Sequence, residues 1–448
     1  MANTYLSRTQ SASPTSATKG TLSFWIKRSL LGVSQYFMSV FQDSNNRVQA
    51  EFQADDTLRI IQKNSSSTTI NIITNRVFRD SSSWYHVVLA FDTTQGTDSN
   101  RVKLYINGVQ ETSFSTSTYP GSGIDSFLTK GTAVSIGAYN GTGDFTNGLM
   151  SHIHLCDGIQ YQASDFGETD ATTGEWKGKT SPSVTYGTNG FFILKDGNSV
   201  TDQSGRGNNF TVGGGTLTDL KDNPDNVFAT ANPLDGLKGS AGILKPTFSN
   251  GNLTLSSSAG NNYQTFGTLA VDTGKYYWET KATDCDGHRV GVFFGDNKVH
   301  GGTYYYGANA FYIHQNGQIY YNGANTVYMS SLSDGDIVGV ALDRTNGHIY
   351  LHKNGQYADG NGNNNQTFAN AVSINTKLGV TMPSDITYPF FDVYGTAIMD
   401  INFGNGYFGT TAITTNSGNG YAGAEGSSKF NYTVPTGYSA LSTKGLNE

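Results

Sequence analysis

The dipeptide Asn-Gly occurs twelve times in this chain, first at Asn107 and last at Asn419. Both residue types tolerate positive φ, which a two-residue type I′ turn requires at its two central positions. A chain reversed this often has room only for short extended segments. Two passages show the pattern in full. Arg101–Gln110 reads RVKLYINGVQ and Thr345–Gln356 reads TNGHIYLHKNGQ, each an alternating strand running into Asn-Gly. In the first, Val102, Leu104 and Ile106 point one way and Arg101, Lys103 and Tyr105 the other. An upstream strand precedes each, Trp84–Asp92 (WYHVVLAFD) and Ile337–Asp343 (IVGVALD). No window sustains the 3.6-residue apolar period of a helix. The expectation is an all-β chain of antiparallel β-sandwiches in series.

At 448 residues the chain has room for two or three domains. Only 14% of residues are charged, and Ser, Thr, Asn and Gly take their place on the surface. The net charge of −7 comes without clustered Lys or Arg, which argues against a nucleic-acid partner. No apolar run is long enough to span a bilayer, so no membrane insertion is expected. The opening MANTYLSRTQSASPT lacks a charged start followed by an apolar stretch, and synthesis in a cytoplasm is expected. Cys156 and Cys285 fall in different halves and form no disulfide framework.

Residues 1–160 form a first unit, with strands at Leu22–Lys27, Leu58–Ile61, Thr68–Thr74, Trp84–Asp92, Val102–Val109, Ala133–Gly137 and Leu149–Leu155. The phrases SFWIKRS, WYHVVLAFD and VKLYINGVQ resemble the laminin-G-like, concanavalin-A-like jelly roll. Residues 161–245 are rich in Asp, Asn, Gly and Thr; Tyr186–Leu194 and Asn209–Val212 read as short edge strands completing the first domain. This block is similar to a recurrent segment of phage virion proteins, especially of marine phages. Leu234–Ser240 reads as the linker. Residues 246–405 carry YYWETK, VGVFFG, the Asn354-Gly355 hairpin and IMDINF in order, and resemble a SPRY domain. The fold class implied is two concanavalin-A-like β-sandwiches in series with an irregular middle block. Residues 406–448 are Gly- and Tyr-rich and read as an extended strap docked on the body, with a disordered tail as the alternative.

Few constellations carry chemistry. His152, His154 and Cys156 alternate on one strand, so period 2 places zinc-type ligands on one face. A half-buried face of hydrogen-bonded imidazoles is the competing account. Asp284, Asp286 and Gly287 (DCDG) echo the start of a calcium loop, but the later Glu is missing and an Asp-Gly hairpin turn also fits. Laminin-G-like domains often bind calcium at one edge, so the resemblance keeps calcium open as a cofactor; no other is expected. Glu168, Asp170 and Glu175 are interrupted by Thr172–Gly174 and read as a surface loop, not the paired carboxylates about 5 Å apart of a retaining glycosidase. His86 lies in a strand with no evident Ser and Asp partners, and SGRGNN at Ser204–Asn209 has no helix behind it to hold a phosphate. Tyr304, Tyr305, Tyr306 and Tyr328 are the candidate ligand-binding aromatics, with Tyr312, Tyr320 and Tyr321 between them; the competing account is that half of these tyrosines cover hairpins of the core.

The resemblances together imply a non-enzymatic virion surface protein made in the host cytoplasm. Its expected partners are a host cell-surface glycan or protein and other virion proteins, in a homo-oligomer, a trimer by virion analogy. A capsid decoration or tail-associated subunit is the alternative, since no coiled-coil stalk is present. A glycan-cleaving enzyme has the least support.

Overall fold

The computed structural model describes residues 3–10, 12–195, 197, 199–239, 242–258, 260–295, 309–414 and 421–447, without the side chains of 237–239 and 242–244. The chain divides into two units, residues 1–219 and 220–448, so the division falls inside the middle block and upstream of residues 234–240. Both are built from antiparallel sheets, as the turn density requires.

The described residues of the first unit form sixteen strands. They are Tyr5–Thr9 (β1), Lys19–Arg28 (β2), Gln35–Asp43 (β3), Asn46–Phe52 (β4), Thr57–Asn64 (β5), Ser67–Val77 (β6), Tyr85–Asp92 (β7), Val102–Ile106 (β8), Val109–Glu111 (β9), Phe114–Thr118 (β10), Ala133–Ile136 (β11), Gly148–Asp157 (β12), Gly167–Thr169 (β13), Trp176–Gly178 (β14), Phe191–Ile193 (β15) and Thr211–Gly214 (β16). One sheet runs β10-β6-β5-β4-β3-β11-β1-β16 and the other β15-β12-β2-β7-β8-β9. The alternation in β8 is realised as expected: Val102, Leu104 and Ile106 enter the core between the sheets, with Leu22, Phe24 and Ile26 of β2. Tyr105 faces the other way and joins Val88, Ala90, Cys156 and Phe166 under an outer layer. That outer layer includes the β13–β14 hairpin, whose Trp176 ring sits where a Cβ on Gly108 or Gly167 would fall.

Both Asn-Gly reversals have left-handed pairs, Asn107 and Gly108 at φ 48° and 83°, Asn354 and Gly355 at 51° and 84°. The middle block contributes β15 against β12 and β16 against β1, so residues 191–214 complete the first sandwich.

In the second unit, Lys275–Asp284 lies between Ile337–Asp343 and Ile398–Asn402 in a nine-stranded sheet. The facing sheet has six strands in the order Tyr263–Phe266, Thr387–Val393, Arg289–Phe294, Ala310–His314, Gln318–Tyr321 and Ala324–Val327. Trp278, Val340, Leu351 and Ile401 meet Val290, Val292, Phe311 and Phe391 in its core. The C-terminal segment is part of this body. Ser439–Ala440 pairs in parallel with Tyr276–Tyr277, and Phe430 and Leu441 are buried. Among the described residues no helix is long and apolar enough to cross a membrane.

Candidate functional site

The first unit carries an open groove of about 570 Å³ beside β1. β1 is hydrogen-bonded on one side to β11 and on the other to β16, and its Leu6 is buried in the core. Period 2 then turns Tyr5, Ser7 and Thr9 outward, and all three line the groove. Ser135 of β11 and Thr211 of β16 lie beside them. Two turns supply the rest, Asn140–Gly141 and Gly207–Asn209.

Local chemistry fixes each part. The Tyr5 ring packs where Cβ atoms on Gly213 and Gly141 would lie, 2.2 and 2.8 Å from its carbons, so only glycine leaves it room. Phe145 supports it with ring centroids 6.1 Å apart. The Ser7 and Thr211 hydroxyls are 3.2 Å apart. The 204–209 turn is organised by Asp202, whose carboxylate accepts from the Phe192, Ser204 and Asn208 amides and the Ser204 hydroxyl at 2.8–2.9 Å. Asn208 in turn donates to the carbonyls of Thr188 and Gly190. Arg8 is the groove's only cation, and it donates to the Asn189 carbonyl at 3.2 Å and to Asn208 Oδ1. Desolvation lowers its pKa, and the negative charge of Asp202 offsets that in part.

None of these groove residues stands out as chemistry in the sequence. Tyr5-x-Ser7-x-Thr9 around one buried Leu6 is the alternation that marks β1. SGRGNN, without a helix to make it a phosphate loop, furnishes Gly207, Asn208 and Asn209.

The histidine strand has a different arrangement from the one expected. His152 and His154 do line one small cavity, with His86, Ser23 and Trp25, but β12 reaches it through a bulge. His152 has φ 48°, and the register slips between Ser151 and His154. The ring nitrogens have local partners. His152 Nδ1 lies 2.7 Å from the Ser151 hydroxyl, and His154 Nδ1 lies 3.0 Å from the Tyr186 hydroxyl. The His154 ring stacks on Phe192 at 3.8 Å, and burial holds the imidazole neutral, well below its usual pKa. Cys156 is buried and its thiol is pushed up by desolvation. Among the described residues no group of three His, Cys, Asp or Glu side chains could hold a metal ion.

His86 does have a serine beside it: Ser23 Oγ lies 2.9 Å from Nε2. Trp176 Nε1 donates to His86 Nδ1 at 3.0 Å, so the proton sits on Nε2 and points at Ser23. In that tautomer the imidazole cannot take the serine proton, and burial lowers its pKa to about 3. Glu168 lies on the β13–β14 hairpin, not in a loop, and Asp170 in its turn, ion-paired to Lys177 at 2.9 Å. The Lys177 hydrogen bond holds the Asp170 carboxyl below the usual range.

In the second unit Tyr304, Tyr305 and Tyr306 lie outside the described residues. Tyr328, expected at the surface, is fully buried in the core, where its hydroxyl donates to the Val372 carbonyl; it has no surface to offer a ligand. Tyr312 is also buried, stacked on Tyr320 with centroids 5.2 Å apart. Asp284 and Asp286 do not form a hairpin turn or a cation loop. The strands they join belong to different sheets, and their carboxylates accept from Thr396 Oγ1 at 3.1 Å and the Thr396 amide at 3.4 Å.

A densely connected polar group in this unit is Glu279, fully buried in the WE strand. Its carboxylate accepts from the Asn431 and Tyr432 amides at 2.9 and 2.8 Å, from Tyr277 Oη at 3.0 Å and from Asn402 Nδ2 at 3.2 Å. Burial pushes the carboxyl up to about 7 against those four donors. Two of them are main-chain amides of the C-terminal segment, so Glu279 ties that segment down.

Residues 2–159 match the Laminin_G_3 family, the concanavalin A-like lectin/glucanases superfamily. No curated protein matches the chain. Among solved structures, the SPRY domain of human HERC1 is 20% identical over 38% of this chain and 96% of its own, with a TM-score of 0.29. The TRIM65 PSpry domain is 13% identical over 39% of this chain and 91% of its own, with a TM-score of 0.30. A heptameric SAP-like pentraxin from Limulus polyphemus is 20% identical over 48% of this chain and 91% of its own, with a TM-score of 0.31.

Proposed function

We propose that this chain is a non-enzymatic recognition protein of a phage virion surface, and that its first unit holds a host-surface glycan or protein in the groove beside β1. The groove carries the reading: concave, lined by hydroxyls, amides and one aromatic ring, and set on a rigid sheet. The virion assignment draws on the wording of the middle block, whose Asp202 turn also builds part of the groove. The non-enzymatic assignment draws on the locked tautomer of His86 and the ion pair that occupies Asp170.

The test is binding of labelled protein to intact bacterial host cells, with particles lacking the protein as a parallel target. Saturable binding to cells is expected. Stoichiometric binding to particles with none to cells would replace recognition by a decoration role, with the groove an assembly contact.

A further inference from the structure

We infer that the groove beside β1 takes an uncharged, polyhydroxylated ligand, a neutral glycan, and takes it without a bridging metal ion; this rests on the groove being the recognition surface. Among the described residues the lining contains no carboxylate and no imidazole, so a calcium ion has no charged ligand among them. The one cation in the described lining, Arg8, donates to Asn189 and Asn208, and the negative charge of Asp202 offsets its own in part. An acidic sugar would therefore meet a single, partly offset charge and no cluster of cations.

What the groove does offer is neutral. Thr9 and Ser135 present hydroxyls and Asn140 an amide, and among the described residues no protein group bonds these side chains. Ser135 pairs with Ser7 across β1 and β11 and so faces the same side of the sheet. Sugar hydroxyls both donate and accept, which matches such a set. Tyr5 adds a flat apolar face for ring C–H groups, held in place by Gly141 and Gly213. Lining, charge and aromatic platform converge on one ligand class.

The experiment is an array of neutral and acidic oligosaccharides probed with the full chain, in calcium and in EDTA, alongside Tyr5→Ala and the milder pair Thr9→Val and Ser135→Ala. Circular dichroism and thermal unfolding verify that each variant is folded. The expected result is binding to neutral glycans, equal in calcium and EDTA, and weakened tenfold or more by Tyr5→Ala and by the hydroxyl pair. Binding confined to acidic glycans, or abolished by EDTA, yet still sensitive to these substitutions overturns the neutral, metal-free ligand and leaves the groove standing. Glycan binding indifferent to all three substitutions overturns the groove as the recognition surface, and this inference with it. No binding to any glycan overturns the inference, while cell binding lost in Tyr5→Ala would then preserve the groove for a protein ligand.

Discussion

Two side chains, one half-buried and one buried, show how single residues decide what each unit can do. The Trp176 indole determines which nitrogen of His86 carries the proton, and so keeps a serine–histidine pair from acting as nucleophile and base. Glu279 performs a structural task with the same kind of precision. The Tyr277 hydroxyl also lies 2.6 Å from His352 Nε2, and Asn402 Nδ2 also donates to the Lys429 carbonyl, so removing the carboxylate strands chiefly the Asn431 and Tyr432 amides. At about 1–3 kcal/mol for each of these two amides, Glu279→Ala should cost about 2 kcal/mol or more. Limited proteolysis is the check: the segment from residue 421 onward becomes cleavable in the variant while the first unit stays intact. Equal resistance in both proteins would show that strand pairing and the burial of Phe430 and Leu441 hold the segment without Glu279.

Among the elements, the Asn-Gly turns bear the most local constraint. Gly108 has φ 83°, and a Cβ there would lie 2.6 Å from the Trp176 ring. Gly108→Ala combines left-handed strain with displacement of the outer hairpin, and a loss of about 2 kcal/mol or more in urea unfolding is expected. Asn107→Gly keeps the φ range but loses the side-chain bond to the His86 amide, and should cost about 1 kcal/mol. A Gly108→Ala protein as stable as the parent would contradict the turn assignment.

The sequence made these hairpins legible because their signal is local, two residues with an unusual φ between alternating strands. It also marked β15 and β16 as edge strands. It did not reveal β1, β3 or β4. β1 carries a single inward apolar residue, Leu6, and β3 is nearly continuous in burial, so neither shows a strong period-2 pattern. The tyrosines misled for a related reason. Tyr328 sits in a polar stretch of sequence, and only the pairing of distant strands puts it in the core. The groove was equally hidden, because its lining comes from segments 130 and 200 residues apart that meet only on neighbouring strands.

Over the whole molecule, the family-matched segment 2–159 is shorter than the unit it belongs to. A fragment of residues 1–160 lacks β15, β16 and the buried Phe191 and Phe210, whereas 1–219 keeps its entire core. Cooperative unfolding is expected of the longer fragment and not of the shorter, and the reverse would refute the division at residue 219. The pH dependence also follows from burial. His86, His288 and His352 are held neutral with pKa values of about 3, below the 6.5 of an unfolded chain. The unfolded state therefore binds more protons below pH 6.5, and this part of the stability is lost as the pH falls toward 3. Each histidine withdraws about 2 kcal/mol by pH 5. Glu279, raised from 4.5 to about 7, acts in the opposite sense, since its contribution is lost as the pH rises through that window. Three imidazoles outweigh one carboxyl, so urea midpoints should drop between pH 7 and 5, and a flat profile would refute the neutral buried histidines.

The central claim is that recognition runs through the groove beside β1. The measurement that tests it most directly is a cell-binding isotherm of the full chain against Ser135→Ala and Tyr5→Ala, each first shown to unfold at the parent temperature. The account predicts saturable binding by the parent and at least tenfold weaker binding by both variants. Parent-like isotherms from folded Tyr5→Ala and Ser135→Ala would contradict it.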